Sequence, residues 1–395
     1  MSKFLQVFGS LLVIASAVCF AAPLMARGKS AVLETIVFFL VTLIGLTMVW
    51  LGKDRTKTQP RPVNPLTIHD LLDGYRSTAL LYLTAKLGIA DLLANGPRSS
   101  SELTEVLGAH EPYLHRVLRG LAAFGVCKES PEGLFELTGL GRSLQTGKPD
   151  SLRGLAILCG EEFTSAWLGL VHSVMSGETA FDHVFGMSQW EHRKQHTVLD
   201  HNFNVWLKSM ANRVAVDLLK VHDFSPYHVI LDAGGGHGAL IAAILKAHPA
   251  ATGILFDQPH VIAGALPLVE AEGIVSRCRI VGGSFFEGIP GGIDACILKS
   301  VIHDWDDERS LAILKNCRKA LNENGKLLLI EHVLPAGVDN DPRVILIDLH
   351  MMAVTGGRER TEDEFRALCE AAGFIIVSMI PIKYGYKLIE ARIER

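Results

Sequence analysis

The chain has 395 residues, 49% of them hydrophobic, with a formal charge of −4 at pH 7. That length exceeds one ordinary domain and supplies ample apolar material for a core, while the near-neutral charge gives no footing for nucleic acid as a partner. Seven cysteines (Cys19, Cys127, Cys159, Cys278, Cys296, Cys317, Cys369) form no CxxC pair and no metal-like spacing, so a disulfide scaffold and a metal site are not expected.

Residues 4–26 carry no charge, and 31–50 carry only Glu34 near their start. Each run has about the 20 residues that cross hydrocarbon as a helix. With Arg27-Gly28-Lys29-Ser30 as the turn, 1–52 reads as a transmembrane hairpin. A cleaved signal peptide is the rival for the first run, since it could be cut among the alanines near Ala15 to Ala22. Lys53, Arg55, Lys57 and Arg61 follow the second run, which puts the C-terminal part in the cytoplasm under either reading. Pro60, Pro62 and Pro65 make 53–65 a stiff polar linker.

Residues 66–214 are mainly helical in pattern. A helix over 78–93 stops at Asn95-Gly96-Pro97, and Ser99 with Glu102 forms a capping signal for a helix through Leu107. Glu111-Pro112 opens a helix over 113–124 that Gly125 closes. Residues 126–129 and 134–137 flank Ser130-Pro131-Glu132-Gly133, a hairpin by turn chemistry. Helices followed by a hairpin make a winged-helix arrangement. Its sharp reading is DNA binding through His115, Arg116 and Arg119; its plain reading is a dimerisation scaffold. The helices of 151–215, rich in Leu, Val, Met and Trp, fit dimer contacts and a pocket wall.

From 215 to the end the pattern becomes doubly wound α/β. Val229-Ile230-Leu231-Asp232 is an apolar strand ending in an acid. Gly234-Gly235-Gly236 and Gly238 follow, then a helix over 239–245. A second strand, 253–256, ends in Asp257, about 20 residues past the glycines, where an acid takes ribose hydroxyls. Gly234, Gly236 and Ala239 meet the loose G-x-G-x-x-[GA] pattern, so a nicotinamide or flavin nucleotide has to be weighed. Asp232 tilts the choice, because an acid there opposes a pyrophosphate but suits an ammonium and a sulfonium. S-adenosylmethionine (SAM) carries both. The plain alternative is a glycine turn beside a satisfied buried Asp.

Further strands are expected at 278–281, 294–300 and 326–330, with helices near 261–271 and over 307–321. Asp232, Asp257, Ser284, His303 and Glu331 all fall at carboxyl ends of strands, where open α/β sheets bind ligands. His303 is the candidate general base, since imidazole titrates near working pH and can take a proton from a hydroxyl. The alternative is a His that packs, or caps the helix after Asp306.

Leu298-Lys299 through His303-Asp304-Trp305-Asp306-Asp307-Glu308, Glu331-His332-Val333-Leu334-Pro335 and Thr355-Gly356-Gly357-Arg358-Glu359-Arg360-Thr361 together resemble the SAM-dependent O-methyltransferases of the caffeate and flavonoid, acetylserotonin and bacterial polyketide type. The likeness spans about 66–395. It implies a Rossmann-like methyltransferase domain (215–395) behind a winged-helix dimerisation domain (66–214), hence a homodimer. It implies His303 as base with Glu331 and Glu359 holding it, and Gly234 and Gly236 against the methionine part of SAM. Asp257 would take the ribose, Phe285 the adenine, and Lys299 would lie near the adenosine. Phe203, Asn204, Met210, Asp304, Met351 and Met352 fall where the family lines its acceptor pocket. Ser284 departs from the Asp that many members place against the adenine amino group, and the membrane hairpin departs from soluble relatives. The expected activity is methyl transfer from SAM to a hydroxyl on a small aromatic or lipophilic acceptor. A membrane-bound SAM-responsive regulator without turnover is the rival.

Overall fold

A computed structural model describes residues 67–335, 337 and 342–394. The expected hairpin (1–52) and linker (53–65) lie outside the described residues. The first long helix is α1 (Gly74–Lys86), followed by the short α2 (Ile89–Leu92). One helix over 78–93 was the expectation; the break falls at Gly88, whose φ of 67° carries the chain through a left-handed residue.

Next come β1 (Arg98–Ser99), α3 (Ser100–Leu107) and α4 (Glu111–Ala123), then β2 (Cys127–Glu129) and β3 (Leu134–Leu137). Both halves of the capping box at Ser99 and Glu102 are present. The three strands pair antiparallel in the order β1-β3-β2. Leu103, Leu114, Leu118, Leu121, Phe135 and Leu137 close a core between helices and wing. On α4, His115 stacks edge-on against Phe135 and Arg119 lies 3.5 Å from Glu129. Two of the three side chains read as candidate DNA contacts thus have partners in their own wing.

A broken run of helices follows: α5 (Arg153–Leu158), a π turn at Cys159–Phe163, α6 (Thr164–Leu168), α7 (Leu170–Ser176), α8 (Ala180–Phe185) and α9 (Gln189–Gln195). These lead into the 25-residue α10 (Thr197–Val221). The expected boundary at 214/215 falls inside α10, and from Asp73 onward the chain packs as one compact unit.

The large sheet has the order β10-β11-β8-β7-β4-β5-β6. Its parallel part is β4 (Val229–Ala233), β5 (Thr252–Asp257), β6 (Cys278–Gly282), β7 (Ile293–Lys299) and β8 (Leu321–Leu334). The antiparallel edge is β10 (Phe374–Pro381) and β11 (Tyr386–Ile393). The strand order reverses at β4, whose neighbours are β5 on one side and β7 on the other. Alternate residues enter two cores. Ile230, Leu255, Ile297 and Ile330 face α10 and α11 (Ala239–Ala247), while Leu231, Ile254, Leu298 and Leu329 face α14 (Asp307–Ala320) and α16 (Glu362–Ala371). Burial on both faces is why these strands read as continuous apolar runs. The expected helix near 261–271 is two pieces, α12 (Pro259–Ile262) and α13 (Leu266–Ala271). Between β8 and α16 lie α15 (Arg343–Val354) and β9 (Arg360–Thr361), which pairs with the end of β8.

Candidate active site

One cavity opens at the carboxyl ends of β4, β5 and β7 and runs toward α9, α10 and α15. At its first end the chain leaves β4 through the glycine turn. A Cβ on Gly235 would sit 2.6 Å from Leu255 and 2.7 Å from the Asp232 carboxyl, so only glycine lets the turn close. Gly236, at φ +58°, has nothing within 4 Å of its Cβ position, which leaves open space on the ligand side. Its N–H donates to Asp257 Oδ2 at 2.8 Å, and the Gln258 N–H donates to Oδ1 at 2.6 Å. Burial nevertheless raises the Asp257 pKa.

Asp232 is 1% exposed, and its Oδ2 has no hydrogen-bond partner. Burial pushes its pKa up to about 7, with Lys299 opposing and Asp257 adding to the rise. A carboxylate oxygen left bare inside a protein is costly, and a cation supplied by a ligand removes the cost. Lys299 lies over the Tyr386 ring and donates to Ser300 Oγ at 3.3 Å. Ser300 holds φ +53°, an uncommon conformation for a side-chain-bearing residue. Phe285 lines the cavity and meets Trp305 edge-on. Ser284 does not line it; its Oγ accepts from the Phe286 N–H at 3.3 Å.

His303 stands on a single 3-10 turn, Ile302–Asp304, just past β7. Its Nδ1 lies 2.8 Å from Glu359 Oε1 and 3.8 Å from Glu331 Oε2, and its Nε2 lies 3.8 Å from Asp304 Oδ1. A carboxylate accepts, so in the neutral ring Nδ1 carries the proton and Nε2 keeps its lone pair. Burial disfavours the imidazolium, but Glu359, Glu331 and Asp304 outweigh it and raise the His303 pKa well above 6.5. Burial also raises Glu331 to about 7 and Asp304 to about 6.

The turn itself is clamped. Glu331 Oε1 accepts from the N–H groups of Val301 at 2.9 Å and Ile302 at 2.8 Å. Arg360, 1% exposed, donates to the carbonyls of Ile302 at 3.0 Å and Trp305 at 2.9 Å. It also reaches Asp307 at 2.7 Å and Ser310 Oγ at 3.1 Å. Glu331 and Glu359 therefore sit behind the imidazole. Glu359 bonds the ring; Glu331 fixes the backbone that carries it.

Beyond His303 the walls become aromatic, with Phe163, Trp190, Phe203, Trp206 and Trp305. Trp190 stacks on Trp305 with centroids 6.3 Å apart. Phe203, Asn204, Met210, Asp304 and Met351 line the cavity, whereas Met352 does not. Helix α15 explains that outcome, because the helical turn rotates the neighbour of Met351 off the lining stripe. Two lining residues have no local sequence signal: Arg193 on α9 and His350 on α15. Their partners are Glu162, 31 residues away, and Trp167, 183 away.

The O-methyltransferase domain family matches residues 167–375, and the O-methyltransferase dimerisation domain matches 69–147. A phenazine O-methyltransferase of Lysobacter antibioticus is 44% identical over 323 residues, covering 82% of this chain and 94% of that protein. The crystal structure of LaPhzM superposes with a TM-score of 0.80 at 43% identity, covering 82% of this chain and 98% of the other. The O-methyltransferase NcsB1 from neocarzinostatin biosynthesis, in complex with SAM and 2-hydroxy-5-methyl naphthoic acid, gives a TM-score of 0.69 at 30% identity, covering 80% of this chain and 96% of the other.

Proposed function

The chain belongs to the O-methyltransferase family and takes SAM as its methyl donor, and from that premise we propose that it methylates a hydroxyl group on an aromatic acceptor with His303 as general base. The bare Oδ2 of Asp232 and the open face of Gly236 fit the ammonium and carboxylate of the cofactor's methionine part. Asp257, oriented by two backbone N–H groups, suits the ribose, and Phe285 suits the adenine. When bound, SAM supplies an electrophilic methyl group on a positively charged sulfur.

The observation that carries the reading is the His303–Glu359 pair at 2.8 Å, with His303 lining a cavity that also contains the glycine turn. Nε2 takes the proton of the acceptor hydroxyl as its oxygen becomes the nucleophile. Glu359 at Nδ1 stabilises the imidazolium that results, and Asp304 Oδ1 lies 3.8 Å from Nε2. Trp190, Trp305 and Phe203 give a flat acceptor ring stacking surfaces and exclude water from the reacting atoms. Substrate names among the similar proteins, phenazine and a naphthoic acid, support an aromatic acceptor.

Membrane attachment through residues 1–52, with a cytoplasmic catalytic domain, is a further proposal, supported by the hydropathy of that segment; fractionation of the chain with and without it is the test. For the chemistry, His303→Ala should cut methyl transfer to a hydroxyphenazine or hydroxynaphthoate panel roughly 10²–10⁴-fold. SAM affinity, measured by calorimetry, should stay within about threefold. An unchanged rate discards His303 as the base.

A further inference from the structure

Lys299 and Asp232 carry opposite charges on neighbouring parallel strands, and they do not pair. In the register of β4 and β7, Asp232 stands opposite Ile297, so Lys299, two residues on, shares its face of the sheet. Both line the cavity beside Gly234 and Gly236. The buried Oδ2 of Asp232 has no hydrogen-bond partner, and among the described residues Lys299 makes no ion pair. A lysine stem is flexible, and an ammonium left to itself would settle on the bare carboxylate.

Two hydroxyls and a ring hold it away. Lys299 Nζ donates to Ser300 Oγ at 3.3 Å and lies 5.4 Å from the centroid of the Tyr386 ring. Ser300 Oγ in turn lies 3.1 Å from the Tyr386 hydroxyl, so the three side chains brace one another. Tyr386 is 6% exposed and packs on the His332 ring with centroids 4.0 Å apart, which fixes its own place.

The backbone is strained to build this clamp. Among the described residues only Ser300, at φ 53°, and Tyr384, at φ 63°, take a positive φ without being glycine. Ser300 carries the bridging hydroxyl. Tyr384 shapes the turn that delivers Tyr386, whose carbonyl accepts from the Ile382 N–H at 2.8 Å. Glycine would relieve the strain at 300, so what serine adds there is its hydroxyl.

An α-amino acid bears its ammonium and carboxylate on one carbon. A site for it needs an anion and a cation side by side, neither spent on the other. Resting on the SAM assignment above, we propose that Ser300 and Tyr386 are positioning residues that hold the Lys299 ammonium off Asp232. Asp232 is thereby free for the ammonium of the cofactor's amino-acid end, and Lys299 for its carboxylate. The site then selects adenosyl ligands by that carboxylate.

The test is calorimetry on the full chain with three ligands. They are S-adenosylhomocysteine, its decarboxylated analogue, and 5′-methylthioadenosine, which lacks both charges. The wild type should bind S-adenosylhomocysteine about tenfold or more tighter than the decarboxylated analogue. Lys299→Met should remove that preference. Ser300→Gly and Tyr386→Phe should each cut it by roughly threefold to tenfold, with 5′-methylthioadenosine affinity unchanged. Ser300→Gly relieves the backbone and should melt close to wild type, so it decides the matter even if Tyr386→Phe fails to fold. A wild type without the preference, a folded variant that keeps it in full, or an equal loss for all three ligands overturns the proposal. Absence of binding by every adenosyl ligand would instead overturn the SAM assignment, and the proposal with it.

Discussion

Asp232 couples cofactor binding to pH. Its pKa of about 7 in the ligand-free protein lies above the ordinary 3.8, so the folded state holds a proton that the unfolded chain releases. That contribution to stability is present below about 4 and disappears as pH rises through about 7. An ammonium placed against Oδ2 favours the ionised form. S-adenosylhomocysteine, which has the ammonium but no sulfonium, should therefore bind more tightly at pH 8 than at pH 6. In Asp232→Asn that pH dependence should flatten and affinity fall about tenfold or more. Calorimetry at the two pH values checks it, and a pH-independent wild-type affinity removes Asp232 from the role. At His303 the same physics works through neighbours: Glu359, Glu331 and Asp304 outweigh burial and hold the imidazole pKa above its ordinary value, so the neutral ring is a strong proton acceptor whose population grows as pH rises.

At the scale of elements, the 3-10 turn Ile302–Asp304 is the part most exposed to failure. It is too short to hold itself, and the loop carrying Glu359 supports it from below. The Arg358 N–H donates to the His303 carbonyl at 2.9 Å, and a Cβ on Gly357 would lie 2.0 Å from that same oxygen. The obstacle is backbone, so the turn itself must move. Gly357→Ala should cost about 1–3 kcal/mol of stability and reduce kcat at least tenfold, with cofactor affinity little changed. Gly74→Ala, where a Cβ meets nothing within 4 Å, serves as control. Thermal melts and steady-state kinetics on both variants make the comparison; a Gly357→Ala enzyme with normal kcat would show that His303 tolerates a displaced turn.

For the whole molecule, the match to a dimerisation domain supports a homodimer. Leu168, Val171, Val174 and Met175 are each 74% or more exposed, at spacings of three and four residues across α6 and α7. Contiguous exposed apolar side chains of this kind mark association surfaces. Val174→Asp should weaken a dimer seen by light scattering while leaving cofactor binding intact; an unaltered mass at all concentrations would exclude this stripe from the interface. Among the described residues, the run Arg153–Ser176 is long and apolar enough to cross a membrane by length and composition. It contributes Leu158, Phe163 and Ala166 to a buried cluster instead.

The sequence by itself determined whatever depends on neighbours in the chain. The strand, glycine turn and helix at 229–245, the capping box at Ser99, the wing hairpin and the strand-end acids were all legible, because periodicity, capping and turn chemistry act within a few residues. Position and chemistry singled out His303, and the resemblance added Glu331 and Glu359 as the groups that hold it. Tertiary structure alone decided that Glu359 bonds the ring while Glu331 holds its backbone, that Ser284 and Met352 miss the cavity, and that β10 and β11 close the sheet edge. It also brought Arg193 to Glu162 and His350 to Trp167, pairings across 31 and 183 residues. The physical reason is that a buried donor's value depends on which acceptors packing brings to it, and that is fixed only when distant helices meet.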